Sequence, residues 1–224
     1  MAHNVYSRKH KSFLSNLVFY PGVSGDHNQK NGLKVIDWRL PQEYISTEGI
    51  DPIKYDYALL KLEGNVAGAE FLELGANYQE VKEEIGVIGY RVASCSDDTA
   101  IQSCLWKPNA HSVQSNGEVM RHQLSTLGGN SGSPILVKRG DKGERHAVIA
   151  IHKGAPGEKA AFNEARIITD DLILNVLAWE KEMTDSRIRF SLMSSSGQET
   201  VRTEAAKWLQ DKRLKLAVIA SQLQ

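Results

Sequence analysis

The chain has 224 residues, of which 41% are hydrophobic, so it is long enough to bury the core of one or two compact domains. Its 27 basic and 27 acidic residues balance, which excludes the electrostatic signature of a protein that binds nucleic acid or an anionic membrane surface. No apolar run approaches the roughly eighteen residues that a membrane span needs. We therefore expect neither nucleic acid nor a membrane as a partner.

The first half of the chain shows strand signals rather than helical ones. Residues 16–20 form an apolar run that ends at the turn pair Pro21-Gly22, and residues 33–45 are rich in β-branched and aromatic side chains. A third run, residues 55–62 (Tyr-Asp-Tyr-Ala-Leu-Leu-Lys-Leu), carries an acid, Asp56, at its start. On its own, an acid at this position is typical of a capped strand.

The second half repeats the β pattern, with Gly, Asn, Asp or Pro between most of the predicted strands, and this favours an antiparallel barrel. The candidate strands are residues 70–74, 84–91, 100–107, 117–124, 134–138, 147–152 and 165–169. Asp170 and Asp171 then precede a predicted helix over residues 172–180. Residues 181–198 are polar and predict a linker, and apolar residues at helical spacing beyond residue 201 predict an amphipathic extension.

Residues 128–134 (Gly-Gly-Asn-Ser-Gly-Ser-Pro) place a serine on a tight loop that leads into an apolar strand. The glycines allow positive φ and bring backbone amides close to a bound group, while small neighbours leave the Ser131 hydroxyl uncrowded. The plain alternative is a Gly/Ser-rich turn. A strand follows the serine where a helix should begin, and Ser133 replaces a required glycine, so this is not the Gly-x-Ser-x-Gly elbow of α/β-hydrolases.

The sequence contains the three residue types that can together activate a serine, in the order His3, Asp56, Ser131. A serine hydroxyl is a weak nucleophile at neutral pH, so an imidazole has to take its proton and later give it to the leaving amine. A buried carboxylate fixes the tautomer of that imidazole and stabilises it when it is charged. His, Asp, Ser is the order of the chymotrypsin triad, whereas subtilisins and α/β-hydrolases have other orders.

These motifs resemble those of the chymotrypsin-fold serine proteases, in particular the glutamyl endopeptidase branch. The resemblance covers residues 2–180 and is strongest at residues 55–62 and 125–134. Ala2-His3 followed by Val5-Tyr6 resembles the Ala-His-Cys-Val stretch of the family, with Asn4 where many members have Cys. It implies an all-β fold of two antiparallel six-stranded barrels, the first incomplete here, with the active site between them and helices at the C-terminal end.

The resemblance also implies a role for each residue of the motifs. His3 is the general base and then the general acid, Asp56 orients it, and Ser131 is the nucleophile. The backbone amides of Gly129 and Ser131 form the oxyanion hole, where each donor stabilises the transition state by about 2.7 to 4 kcal/mol.

Substrate preference follows from the residues before the serine and from a later strand. Thr126 and His152 match the residues that bind the carboxylate of the residue preceding the cut in glutamyl endopeptidases, and Lys153 adds positive charge near that pocket. Leu127 departs from the Thr that some relatives have. We expect a preference for Glu or Asp; the alternative is a preference for small polar residues or no strong preference.

The two cysteines, Cys95 and Cys104, flank a polar turn. If residues 87–106 form a hairpin, a disulfide between them would contribute about 2 to 3 kcal/mol and would imply an oxidising compartment. The alternative is two reduced, buried thiols. The family and the disulfide together imply an extracellular protein, although residues 1–30 lack the charged, apolar, small order of a signal peptide.

In the resembling family about half of the strands of the first barrel precede the histidine, whereas only two residues precede His3. We therefore expect residues 1–63 to form an incomplete first barrel, residues 64–180 a second barrel closed by a helix at 170–180, and residues 181–224 a linker and helical extension. We expect a fragment or an alternative start of a longer secreted protease, with His3 loosely held and apolar strand faces left uncovered.

The sequence thus predicts a serine endopeptidase that acts on protein or peptide substrates through an acyl-enzyme. The alternative from another class is a catalytically impaired or truncated, protease-shaped binding protein. The histidines are scattered and no Cys-x-x-Cys occurs, so no metal or other cofactor is expected.

Overall fold

The computed structural model describes residues 1–20, 32–47, 52–66, 72–76, 85–90, 103–104, 114–115, 117–139, 145–157 and 160–184. The chain divides into two compact units, Met1–Thr169 and Asp170–Gln224. The first unit contains every strand of the described residues and all of the predicted site residues. The predicted boundary between two barrels at residue 63 stays a prediction.

The described part of the first unit is built mainly from strands that pair in antiparallel sheets, which confirms the predicted all-β class. The strands are β1 (Tyr6–Ser7), β2 (Ser12–Phe13), β3 (Val18–Phe19), β4 (Leu33–Arg39), β5 (Leu59–Leu62), β6 (Glu73–Leu74), β7 (Ile85–Val87), β8 (Gly89–Tyr90), β9 (Ser103–Cys104), β10 (Gln114–Ser115), β11 (Val119–His122), β12 (Pro134–Arg139), β13 (Arg145–Gly154) and β14 (Asn163–Ile167).

The largest sheet has the order β10-β11-β14-β13-β12-β7, and each neighbouring pair on this path is antiparallel. The short strand β6 joins the side of β13 in parallel, which is the exception to the predicted antiparallel pattern. Successive side chains of a strand point to opposite faces, so alternate apolar residues of these strands line one core. Its members include Ile85, Met120, Ile135, Ile149 and Ile167, all fully buried. Each such side chain stabilises the fold by about 1.5 to 3 kcal/mol.

The first half of the chain forms a smaller sheet of order β3-β4-β5 and the separate β1-β2 pair. Several large apolar side chains of this region are exposed: Val18 at 40%, Ile36 at 55% and Leu60 at 38%.

A short helix, α1 (Gln42–Ser46), occupies the end of the segment that was predicted as β through residue 45, so that part of the prediction is wrong. Strand β4 ends at Arg39, and Pro41 precedes the helix with φ of −59°. Proline has no amide proton to donate to a strand ladder, and its fixed φ suits the start of a helix.

The described part of the second unit is helix α2 (Asp170–Thr184), which begins at the predicted acidic pair. It continues four residues past the predicted end at 180, into the predicted linker. The remaining linker and the predicted amphipathic extension lie outside the described residues.

Candidate active site

His3 and Asp56 come from two short 3-10 turns, Ala2–Asn4 and Ile53–Tyr55, and Asp56 directly follows the second turn. The backbone amide of His3 donates to Asp56 Oδ1 at 3.0 Å, and Nδ1 of the His3 ring lies 2.7 Å from Asp56 Oδ2. Because a carboxylate only accepts hydrogen bonds, Nδ1 carries a proton, and in the neutral ring Nε2 then has the lone pair. This is the tautomer that a general base needs.

The turn that carries His3 is packed against the protein, in contrast to the loosely held end that the sequence predicts. Ala2, the first residue of the turn, is 0% exposed, and Val5, which follows the turn, is 1% exposed. Ala2 belongs to a small apolar cluster with Tyr6 and Tyr44. Asp56 is 2% exposed, so its carboxylate is shielded from water, and its bonds to His3 are strengthened by that shielding.

Ser131 lies on a loop whose shape depends on two glycines. Gly129 has φ of 94° and Gly132 has φ of 96°, values that side chains with a Cβ rarely adopt. The loop is fixed from inside by Asn130, which is 1% exposed. Its Oδ1 accepts from the amide of Leu127 at 2.8 Å, and its Nδ2 donates to the carbonyl oxygen of Tyr90 at 3.0 Å.

The structure brings the Ser131 loop beside the His3 turn. Nδ2 of Asn4, the residue after His3, donates to the backbone carbonyl of Ser131 at 3.3 Å. The Ser131 hydroxyl itself donates to the carbonyl oxygen of Lys153 at 2.7 Å. Asn4 was noted in the sequence only as a departure from the family, and its position next to His3 was the signal for a bridging role.

The amides of the loop divide into two groups. Those of Asn130, Gly132 and Ser133 donate to backbone carbonyls of the protein. For the amides of Gly129 and Ser131, the two predicted oxyanion donors, no acceptor is recorded among the described residues.

The second serine of the motif, Ser133, is enclosed. It is 8% exposed, its amide donates to Asn130, and its carbonyl accepts from the amide of His152 at 2.9 Å. A Cβ added to Gly89 would overlap the Ser133 hydroxyl, so strand β8 passes directly over this side chain. Ser133 is therefore a packing residue of the loop.

The predicted pocket residues lie on both sides of the loop in sequence. Thr126 is half-buried in the segment that leads from β11 to Ser131. His152, near the end of β13, is 1% exposed, and burial lowers its pKa to about 4. Lys153 Nζ lies 3.8 Å from Glu164 Oε2, so part of its charge is balanced by Glu164.

A second buried histidine, His122 in β11, contacts His152 and was missed from the sequence. Its Nε2 lies 3.1 Å from Nδ1 of His152, and its Nδ1 accepts from the amide of Leu124 at 3.2 Å. Burial, together with the nearby His152, lowers the pKa of His122 to about 3. The available signal was the alternation Met120, His122, Leu124, which places His122 on the apolar face of a predicted strand.

Two further predictions concern sulfur and metal. Cys95 lies outside the described residues; Cys104 pairs through its backbone with Gly89 in the β8-β9 ladder. The disulfide therefore stays a prediction. Across the described ranges, no group of three or more His, Cys, Asp or Glu side chains is arranged to hold a metal ion. No described helix has the length and apolar character to cross a membrane.

The curated proteins that are similar to this chain include glutamyl endopeptidases of Staphylococcus aureus. No protein-family model matches the chain. Over 94 residues, 42% of this chain, it is 34% identical to the glutamyl endopeptidase of Staphylococcus aureus strain MW2, and this stretch is 24% of that protein. The glutamyl endopeptidase of strain MRSA252 is 33% identical over 93 residues, which are 42% of this chain and 22% of the relative. The chain thus matches about a quarter of the length of these relatives.

Solved structures extend the comparison to the fold. A Glu endopeptidase in complex with MPD superposes with a TM-score of 0.64 over 80% of this chain and 78% of that chain, at 18% identity. A thermostable serine protease, AL20, from an extremophilic microorganism gives a TM-score of 0.51 over 70% and 72%, at 16% identity. Such low identities show the fold alone. The chain is therefore a chymotrypsin-fold protein that is similar in sequence to the glutamyl endopeptidases.

Proposed function

We propose that this protein is a serine endopeptidase that cleaves peptide bonds through His3, Asp56 and Ser131. The observation that carries the proposal is the pair of bonds between His3 and Asp56, at 3.0 and 2.7 Å. These bonds orient the imidazole and set its tautomer in the way that serine catalysis requires. The bond from Asn4 to the Ser131 carbonyl keeps the nucleophile loop next to this pair.

The chemistry assigns one task to each residue. Nε2 of His3 takes the proton of Ser131 as the hydroxyl oxygen attacks the substrate carbonyl, and then gives that proton to the leaving amine. Water then hydrolyses the acyl-enzyme with His3 again acting as base. Asp56 holds the ring in place and stabilises the imidazolium that forms in both steps.

Before it can react, the Ser131 hydroxyl has to turn away from the carbonyl of Lys153, to which it donates at 2.7 Å. Turning away breaks one hydrogen bond, for which a bond to His3 would compensate. The amides of Gly129 and Ser131 have no recorded acceptor among the described residues, which suits them to receive the oxyanion.

A preference for Glu or Asp before the cut belongs to the same proposal. Thr126 supplies a hydroxyl donor and His152 an imidazole donor, both of which suit a carboxylate. Since Glu164 balances part of the charge of Lys153, the preference depends more on His152 than on Lys153. We also propose an extracellular location, which the family resemblance and the predicted disulfide favour.

A serine-directed phosphonofluoridate tests the triad directly. The folded chain should be labelled on Ser131, and S131A should lose both labelling and peptide cleavage. S133A is the matched control, because Ser133 is enclosed and should not react. Labelling of Ser133 would contradict the assignment.

The binding-protein alternative is favoured by one observation, the bond that holds the Ser131 hydroxyl on Lys153. If that bond is permanent, a folded chain would bind peptides but would neither react with the reagent nor cleave. Absence of labelling in a chain shown to be folded would therefore support the alternative.

A further inference from the structure

The side chains of His122 and His152 meet inside the sheet. Strands β11 and β13 flank β14, and the residue of β14 opposite both His152 and Met120 is Ala165. His122 lies two residues beyond Met120, opposite Asn163, and therefore on the same face of the sheet as Met120. The ring centroids are 5.2 Å apart with an interplanar angle of 59°. Both residues are almost completely buried, at 0% and 1% exposure.

The hydrogen-bond partners fix where the ring protons lie. The amide of Leu124 can only donate, so Nδ1 of His122, at 3.2 Å, accepts. In a neutral imidazole the other nitrogen then carries the proton, so Nε2 of His122 donates across 3.1 Å to Nδ1 of His152. Nδ1 of His152 is thus an acceptor, and its proton lies on Nε2. The backbone amide of Leu124 thus determines the tautomer of His122, and His122 in turn determines that of His152.

We infer that His122 is a positioning residue for substrate selection, which holds His152 in the tautomer whose Nε2–H donates to the carboxylate of the residue before the cut. This inference rests on the proposed function, because it concerns how the proposed pocket binds an acidic side chain. It also assigns a neutral donor, rather than a cation, to that task.

Two properties of the pair support a neutral donor. Burial lowers the pKa of His122 and that of His152 to about 3 and about 4, so neither ring carries charge at neutral pH. A second proton on His152 would also put a donor on each of two facing nitrogens 3.1 Å apart. Selection of a carboxylate over an amide then depends on which ring nitrogen holds the single proton.

The wrong tautomer has a definite consequence. If His152 carried its proton on Nδ1, its Nε2 lone pair would face the substrate and would repel a carboxylate, while it could accept from the amide of Gln. Loss of the donor at position 122 should therefore lower activity on a Glu peptide and preserve activity on its Gln isostere.

Two variants of His122 separate positioning from packing. Gln at 122 can accept from Leu124 and donate to His152, so H122Q should keep the Glu/Gln ratio of kcat/KM near that of the wild type. Met at 122 fills similar space without a donor, so H122M should lower the ratio by about tenfold, the effect of one hydrogen bond of about 1.4 kcal/mol. The loss should appear for the Glu peptide while turnover of the Gln peptide continues, which also shows that the variant is folded.

A measurement that needs no turnover completes the test. In the intact chain labelled with ¹⁵N-histidine, the NMR spectrum should show His152 protonated at Nε2 in the wild type and in H122Q. A proton on Nδ1 of wild-type His152, or an unchanged Glu/Gln ratio in folded H122M, would overturn the inference. Should H122M not fold, the wild-type spectrum decides the tautomer.

Failure of the inference and failure of the proposed function have different signatures. A wild type that reacts with the serine reagent but cleaves Glu and Gln peptides equally overturns the inference and leaves the peptidase proposal standing. A folded wild type that the reagent does not label overturns the peptidase proposal, and with it the role of His122 in substrate selection.

Discussion

Asn130 joins the nucleophile loop to strand β8 through the hydrogen bond from its Nδ2 to the carbonyl oxygen of Tyr90, at 3.0 Å. The two residues are forty positions apart in the chain. The bond lies where Asn130 is almost completely buried, next to the serine that the proposed chemistry uses.

Replacement of Asn130 by Asp should therefore destabilise the folded protein. One oxygen of the new carboxylate can still accept from the amide of Leu127. The other oxygen would replace Nδ2 and would point at the carbonyl oxygen of Tyr90, so two acceptors would face each other and a charge would be buried. We expect N130D to lower the free energy of unfolding at pH 7 by about 3 kcal/mol and to reduce kcat. Urea unfolding and peptide cleavage measure the two effects.

The pH dependence of N130D provides its own control. A protonated aspartic acid can donate to Tyr90, so the pKa of the new group should be raised in the folded state. Its stabilising contribution is then present at low pH and lost as pH rises, and the deficit relative to wild type should shrink towards pH 4. A deficit that is constant with pH would mean that the Tyr90 bond is not its cause.

Asp56→Asn tests the orientation of His3. The amide Nδ2 would face Nδ1 of the ring as a second donor, which favours the tautomer with Nδ1 as acceptor and Nε2 protonated. Such a ring cannot take the proton of Ser131, so kcat should fall by about 10⁴-fold with little loss of fold. Steady-state cleavage and circular dichroism measure activity and folding.

Asp37→Asn is the matched control for this change. Asp37 also forms a short ion pair, with Arg39 at 2.7 Å, but the pair lies in strand β4 and each side chain is 22% exposed. D37N should leave kcat within about twofold of the wild type, since a pair that stays in contact with solvent contributes little to stability. Equal losses of kcat in D56N and D37N would show that Asp56 has no special role in orienting His3.

The residues that the sequence singles out are those whose signal is local. His3, Asp56 and Ser131 each stand in a short motif, and apolar runs bounded by turn residues predicted strands such as β12 and β13 within two residues. The helix at 42–46 was missed, because β-branched and aromatic composition outweighed the break that Pro41 imposes.

What the sequence did not reveal depends on register between distant segments. The contact between His122 and His152 exists because two strands flank β14 in a particular register, with Ala165 opposite His152. Likewise, the bond from Ser131 to the Lys153 carbonyl requires β13 to return beneath the nucleophile loop. No local pattern specifies these pairings.

Gly89 is predicted to be indispensable for the shape of the loop. A Cβ at this position would overlap the Ser133 hydroxyl and lie 2.7 Å from Ser133 Cβ, and neither atom can move far inside the packed loop. G89A should destabilise the protein by about 2 kcal/mol or more and lower kcat, because Ser133 is two residues from the nucleophile. Thermal unfolding and cleavage assays report both.

Two further variants make this test specific. Gly157 has open space where a Cβ would be added, so G157A should change neither property. The double variant G89A/S133G removes the side chain that G89A meets and should recover part of the loss, which a double-mutant cycle detects as non-additivity. Strict additivity would place the cause of the G89A defect elsewhere.

The buried histidine pair predicts a loss of stability in mild acid. In the folded protein burial lowers the pKa of His122 to about 3 and of His152 to about 4, whereas in the unfolded chain both return to about 6.5. Between these pH values the unfolded state binds more protons than the folded state. The contribution of the neutral pair to the free energy of unfolding is therefore fully present above pH 6.5 and is lost as the pH falls below it. Each ring lowers the free energy of unfolding by up to about 1.4 kcal/mol per pH unit.

Urea unfolding at intervals from pH 7.5 to pH 5 measures this slope, and H122Q should reduce it by about 1 kcal/mol per unit because one titrating ring is removed. The control is H10Q, since His10 is exposed and its loss should leave the slope unchanged. If H122Q and the wild type show the same slope, the pair does not remain neutral in the folded state as its burial requires.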